Sequence, residues 1–526
     1  MPTNEHDVRR PSWSSWIVTL AFGLGITSPL VRFVLSGPDL ESARLENRAP
    51  TPRPVLELEP ERLASLPERT EVWFADGFPG RRDLIRAHNA LLWFGLGISS
   101  SPEMLLGSDE WLYFRGGDAF DVYRGVEFEE GELDAWVDRY ADWEAWLRAR
   151  DADYVVLIAP EKQDVYPEHL PRWIGERRER TRTDAFVEGL RSAGLTVVDT
   201  RGVLRAAAAA DEELLYYPLG THWNHVGAYL AYQELARTLE SRAVWWRPVP
   251  RVAFDLFTED DPLGQVDADD FTSRMFLDDL VDQPLRTLVQ KAPLPWSPIE
   301  VWPNRAGGID GVTVVDDERL PRLVFLRDSF GSWLWRYLAN HASRMSTQTD
   351  VRFDVELVER ERPDLVLTER VERLLVRPIT ELDLDPRELD AARAWNAGEP
   401  LAVTAGSEAG GGLEPSLALD GISDGDGRST AVEPGILWLR FEREVTTERS
   451  VPIPPARWAG RFTDSRGETT EFEVVWPAGR RWAFVELETE ASVGRISVGE
   501  PGGAGGLSVL DPERVDARRV RSRAGR

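Results

Sequence analysis

The sequence predicts an α/β protein: a parallel sheet flanked by helices, with an N-terminal transmembrane anchor and a C-terminal β-sandwich. Three observations carry this. Between residues 71 and 394, short apolar runs such as Tyr154–Ile158 alternate with helical patterns, which is how buried parallel strands with crossover helices read. Near the N-terminus, one apolar stretch is long enough for a bilayer. After about residue 395, glycine-rich stretches separate short strand-like runs with no strong helical pattern among them.

The anchor comes first. Residues 14–36 are apolar or small apart from Arg32, which can snorkel, and Arg9 and Arg10 precede them. No small-x-small cleavage site follows Leu35, so the reading is an uncleaved signal anchor, with residues 1–13 cytoplasmic and the bulk outside the inner membrane. Residues 37–70, rich in Pro, Glu and Arg, read as a spacer. A helix is expected around Arg81–Trp93. From Asp134 to Asp151, Trp136, Tyr140, Trp143 and Trp146 form an i, i+3, i+4 stripe that reads as core.

The remaining elements follow in order. Strands are expected at Tyr154–Ile158, Leu195–Val198, Leu323–Leu326 and Leu365–Leu367. Helices are expected through Ala206–Ala210, over Val226–Leu239 and over Ser332–Asn340. The sandwich, 395–513, draws on Ile436–Phe441, Phe472–Trp476, Trp482–Leu487 and Val493–Val498, and residues 514–526 read as a basic, frayed tail.

Composition narrows the function. A chain of 526 residues exceeds what one core usually organises. A net charge of -28 argues against nucleic acid and disfavours a strongly anionic polymer without a local basic groove. Cysteine is absent, which excludes disulfides and thiolate metal sites. Twenty-one tryptophans suit sugar-facing surfaces, although most tryptophan in any protein is core.

Two positions could carry chemistry. Ser329 ends a predicted buried strand and begins a predicted helix, the edge at which open α/β sheets place ligands. A helix N-terminus there would favour an oxyanion, and an Asp-Ser before a helix is equally an ordinary cap. His222 lies in a turn between Tyr216-Tyr217-Pro218 and a helix. His222 and His225 stand three apart, but no His-Glu-x-x-His pattern accompanies them, so no metal and no cofactor is expected.

Short pieces spread over residues 46–375 then bear on both. They are Glu46-Asn47-Arg48, Asp76-Gly-Phe-Pro-Gly-Arg81, Gly107-Ser-Asp-Glu-Trp-Leu-Tyr113, Ile158-Ala-Pro-Glu-Lys-Gln-Asp-Val-Tyr-Pro167, Leu215-Tyr-Tyr-Pro-Leu-Gly-Thr-His-Trp-Asn224, Leu326-Arg-Asp-Ser-Phe-Gly331, Pro363-Asp364 and Glu372-Arg373. In that order they resemble the SGNH-hydrolase-like family of alginate O-acetyltransferases. The resemblance implies an SGNH-like fold and acetyl transfer through Ser329, with His222 as base and a polysaccharide hydroxyl as acceptor. It further implies a multispanning membrane acyltransferase as acetyl donor. Asn224, Trp223, Arg327, Asp328 and Lys162 are the expected oxyanion or substrate contacts.

One departure stands out. Where the family has Asp two residues before the histidine, this chain has Gly220. Three outcomes follow: a Ser-His pair oriented by a backbone carbonyl, an acid from elsewhere (Asp328, Asp199 or Asp211), or a non-catalytic polysaccharide-binding subunit. A secreted acetyl esterase is a further alternative, since a serine acyl-enzyme that admits water hydrolyses. The C-terminal region looks like a galactose-binding-type sandwich, with Leu417-Ala-Leu-Asp-Gly421 as its cue; carbohydrate binding and plain packing are both open to it.

Overall fold

A computed structural model describes residues 13–38, 50–210, 212–240, 246–258, 271–303, 309–376, 379, 384–405, 417–420, 435–442, 453–464, 467–489, 494–499 and 515–521. The readings placed on residues 1–12, Glu46-Asn47-Arg48, Asp211, Gly421 and the glycine-rich stretches lie outside these.

A helix spans Trp13–Ser36, and within it the stretch Trp16–Ser36 has a mean hydropathy of 1.7, with none of its described side chains fully buried. Its length and composition fit a single-pass anchor. The proline-rich stretch after it is not spacer throughout, because helices cover Pro60–Ala64 and Leu66–Gly77. Each starts with Pro in its first turn, where the missing N–H costs nothing. Phe33 packs against Trp73 and Phe74, with ring centroids 4.9 and 5.0 Å away.

Strands β1 (Met104–Leu106) and β2 (Leu112–Phe114) form a hairpin. Next come β3 (Asp153–Ala159) and β4 (Thr196–Asp199), then β5 (Phe254–Phe257), which pairs antiparallel with β6 (Thr287–Gln290). After them run β7 (Trp296–Pro303), β8 (Ile309–Val315), β9 (Arg322–Leu326), β10 (Arg344–Gln348) and β11 (Leu365–Val371). The central sheet has seven strands in the order β4-β3-β11-β9-β10-β8-β7. The first five are mutually parallel, and β8 and β7 extend the β10 edge antiparallel.

Alternation along the parallel strands builds two cores. Val155, Leu157, Leu323, Phe325 and Leu367 meet the helix His225–Glu240 on one face. Tyr154, Val156, Ile158, Val324 and Val366 meet the helices Glu132–Arg148 and Arg182–Ser192 on the other. The expected tryptophan stripe is core: Trp136, Trp143 and Trp146 are each at most 1% exposed. At about 1.5–3 kcal/mol for a fully buried large apolar side chain, this helix is fixed by its packing.

The helix expected over Ser332–Asn340 is instead three short turns, Phe330–Trp333, Trp335–Leu338 and Ala339–His341. Ser329 therefore does not sit at the head of a long helix, and little dipole is aimed at it.

The C-terminal region is all β. Its strands are β12 (Glu399–Ala405), β13 (Leu417–Asp420), β14 (Gly435–Glu442), β15 (Ala456–Asp464), β16 (Thr469–Trp476), β17 (Trp482–Thr489), β18 (Gly494–Gly499) and β19 (Val515–Arg521). They follow the order β16-β15-β18-β13-β12-β19-β14-β17. Side chains from both arms, among them Leu439, Phe441, Phe462, Trp476 and Ile496, share one core. For Val515–Arg521 the frayed-tail reading is corrected by β19, which pairs with both β12 and β14.

This region is clamped to the α/β domain by buried charge. Arg440 donates to Ala149 O (2.8 Å) and the Asp151 carboxylate. Fully buried Glu359 accepts from Arg150 Nε (2.9 Å) and the Arg481 backbone N–H (2.7 Å). Arg150 and Glu359 precede the N-terminal ends of β3 and β11. The C-terminal region thus docks at the N-terminal edge of the parallel strands.

Candidate active site

Ser329 and His222 meet at the opposite, C-terminal edge. Strand β9 leaves the sheet after Leu326, and the turn 327–331 carries Ser329 at the edge of the strand layer, half-buried. The hydroxyl of Ser329 and His222 Nε2 lie 2.7 Å apart, within hydrogen-bond distance. The imidazole is pinned by aromatic neighbours: Phe330 meets it edge-on at 4.7 Å and Trp333 lies 4.6 Å away. Trp333 Nε1 in turn donates to Tyr217 OH at 3.3 Å.

The segment bearing His222 is a tight excursion closed by a bridge between Tyr216 and Trp223. Its carbonyls converge on Lys162. The ammonium donates to Tyr217 O (2.9 Å), Pro218 O (2.8 Å) and Gly220 O (2.5 Å), and the side chain is 1% exposed. It also sits 5.4 Å from the Trp111 ring centre and 5.2 Å from that of Tyr113. Lys162 is therefore a brace for the histidine turn, not a substrate contact. Gly220 contributes its carbonyl to this grip, and its φ is not among the positive ones.

The other expected contacts also prove to be scaffold. Asn224 gives its amide N–H to Leu214 O (2.6 Å), and its Oδ1 accepts from Val226 N (2.8 Å) and Gly227 N (3.1 Å). It caps the helix His225–Glu240 and is fully buried, so the oxyanion role is corrected. Trp223 Nε1 donates to Phe330 O at 3.0 Å and ties the two turns together. Arg327 is buried, donating to Ser332 Oγ (2.8 Å) and Asp328 O (3.2 Å).

The candidate orienting acids are committed elsewhere. Asp328 accepts from Phe330 N (2.8 Å) and Val371 N (2.7 Å). Asp199 holds Arg201 through both oxygens, at 2.9 and 2.7 Å. His225 is fully buried with neither ring nitrogen hydrogen-bonded, and burial, aided by Arg336, holds it well below the usual imidazole range. It stays neutral. Among the described residues, no group of three or more His, Asp or Glu side chains could hold a metal.

A carboxylate cluster lies behind the sheet edge. Burial first, then Asp164, pushes Glu372 up to about 8, although Arg201 is 3.7 Å away. Burial works against Arg201, but the bidentate pair with Asp199 and the neighbouring Glu372 raise it above the usual guanidinium range. A carboxyl raised above its unfolded value of ~4.3 stabilises the fold fully below that value. That contribution is lost as pH climbs towards about 8, at up to ~1.4 kcal/mol per pH unit. Glu372→Gln is expected to flatten the decline in stability between those limits, as read from urea midpoints across pH. Parallel wild-type and variant profiles would contradict this assignment.

With this geometry in hand, comparison with known proteins is informative. Residues 104–259 match a protein-family model, the SGNH hydrolase-like domain of acetyltransferase AlgX. A probable alginate O-acetylase AlgJ from Pseudomonas syringae pv. tomato is 28% identical over 173 residues, 33% of this chain and 42% of that protein. The aligned part thus spans less than half of that relative's length. Among solved structures, Bacillus cereus PatB1 is similar over 52% of this chain and 96% of its own, at 13% identity and a TM-score of 0.39. The O-acetyltransferase domain of Pseudomonas putida AlgJ covers 56% and 99%, at 18% identity and a TM-score of 0.35. Pseudomonas aeruginosa AlgX covers 83% and 98%, at 12% identity and a TM-score of 0.34. The resemblance to the alginate O-acetyltransferases read from the sequence is thus met by an SGNH hydrolase-like family model over residues 104–259 and by one similar O-acetylase.

Proposed function

We propose that this chain is a polysaccharide O-acetyltransferase that carries acetyl on Ser329, with His222 as general base and acid. The supporting observation is the 2.7 Å contact between His222 Nε2 and the Ser329 hydroxyl at the C-terminal edge of a parallel sheet. Ser329 Oγ attacks the acetyl carbonyl and passes its proton to His222 Nε2. The oxyanion forms against the Ser329 N–H, which has no other partner among the described residues. Collapse expels the donor's leaving group, which takes the proton from His222. A sugar hydroxyl then gives its proton to His222, attacks the acetyl-serine and leaves as the ester, restoring the serine.

The apolar helix Trp13–Ser36 is read as a single-pass anchor in the inner membrane, with the catalytic bulk extracytoplasmic. A multispanning membrane acyltransferase is the proposed donor, since the tether would hold both in one membrane. The net charge of -28 favours an acceptor other than a densely anionic polymer. The C-terminal region's place at the far edge of the sheet supports packing over a share in the acceptor site.

Gly220 favours a second reading, a non-catalytic polysaccharide-binding subunit, because the turn offers a carbonyl and no carboxylate there. Purified protein, an activated acetyl ester and a neutral oligosaccharide separate the readings. Acetylated oligosaccharide is expected. Free acetate alone would make the chain an esterase, and binding without turnover would make it a binding subunit. Gly220→Asp is expected to raise the acylation rate, since an acid there would stabilise the imidazolium and the backbone φ is not left-handed. A folded Gly220→Asp protein no faster than wild type would show that the missing acid does not limit the reaction.

A further inference from the structure

Two carboxyl side chains, one buried and one half-buried, hold the backbone around Ser329. Glu369 lies on β11, one position beyond the last rung shared with β9, Thr368 opposite Leu326. There β9 has already turned away, and Glu369 fills the space beneath the turn at 0% exposure. Its Oε2 accepts from Asp328 N (3.1 Å) and Gly331 N (3.0 Å). Asp328 accepts from Phe330 N and, across the sheet end, from Val371 N. The backbone donors at 328, 330 and 331 are thus all taken by side-chain carboxyls.

We infer that Glu369 is a positioning residue for the nucleophile: with Asp328 it occupies every backbone donor flanking Ser329, leaving the Ser329 N–H as the turn's one donor for an oxyanion. The inference rests on the acyl-transfer reading. Burying a carboxyl is costly unless it satisfies groups that would otherwise be unpaired, and the two N–H groups at the end of β9 are such groups. The same contacts account for the missing helix, because N–H groups drawn to Glu369 and Asp328 are held in the geometry of a short turn. Burial, with the adjoining Asp328, drives Glu369 well above the usual carboxylate range. That burial favours the protonated, neutral form of Glu369. Gly331 completes the fit: a Cβ there would lie 2.6 Å from Arg327 Cβ.

Two substitutions test this by burst kinetics with p-nitrophenyl acetate on the full chain. Glu369→Gln is neutral and keeps an acceptor at the same reach, so its acylation rate should stay within about threefold of wild type. Glu369→Asp keeps the chemistry but falls short by one methylene. Its limiting acylation rate should drop roughly 10–100-fold with an unchanged half-saturating ester concentration. Rescue by Gln and failure of Asp is not what a merely structural carboxylate would give. Glu369→Asp at full rate, or Glu369→Gln as slow as Asp, overturns the inference. Absence of a burst in wild type would instead remove the acyl-transfer reading on which it stands.

Discussion

Acetyl labelling from an activated ester is expected to vanish in Ser329→Ala and to slow by roughly 10²–10⁴-fold in His222→Ala. The serine supplies the atom that becomes acylated, so nothing else on the chain replaces it. The histidine supplies proton transfer, and its ring is already within hydrogen-bond distance of the hydroxyl, 2.7 Å from Oγ. Phe330 and Trp333 keep the imidazole in that pose, so the loss in His222→Ala measures base catalysis plus any relaxation of the aromatic pocket. Stopped-flow release of the leaving group checks both. A His222→Ala protein that acylates at the wild-type rate would show that Ser329 needs no base from this turn.

Lys162→Met is expected to be the most damaging single change remote from the reacting atoms. The ammonium satisfies carbonyls of Tyr217, Pro218 and Gly220 while buried. Methionine fills similar volume and offers no donor. Leaving buried acceptors unpaired at the site of a lost charged brace costs about 3–5 kcal/mol. The urea midpoint should fall accordingly, and acylation should slow in the folded fraction because the turn bearing His222 loosens. A variant with an unchanged midpoint would mean that the carbonyls find other partners and that Lys162 is not the brace.

How much of this was legible in the sequence depends on how local each signal is. Strands β3, β9 and β11 announce themselves because burial on both faces demands unbroken apolar runs, as in Tyr154–Ile158. The pairing of Ser329 with His222 came from the order of short pieces along the chain, and the geometry supports it. Strand β10, Arg-Met-Ser-Thr-Gln, carries too little apolar sequence to stand out, although Met345, Ser346 and Thr347 are buried. Strand β19 was hidden by its arginines, yet Ala517 faces the core between exposed or half-exposed neighbours. The tertiary contacts were out of reach. Lys162 grips a turn more than fifty residues away, and Glu369 meets Asp328 from a different strand. Asn224 read as a donor because of its place in the motif, while only the fold shows both ends of its amide spent on capping.

The central claim is that acetyl resides on Ser329. The most direct measurement is peptide mass spectrometry of protein quenched during steady turnover with an activated acetyl ester. The account predicts one acetyl group on the peptide containing Ser329, absent in Ser329→Ala and chased off by added oligosaccharide with acetyl appearing on the sugar. Unmodified Ser329 in wild type that still turns over, or an acetyl group that Ser329→Ala retains, would contradict it.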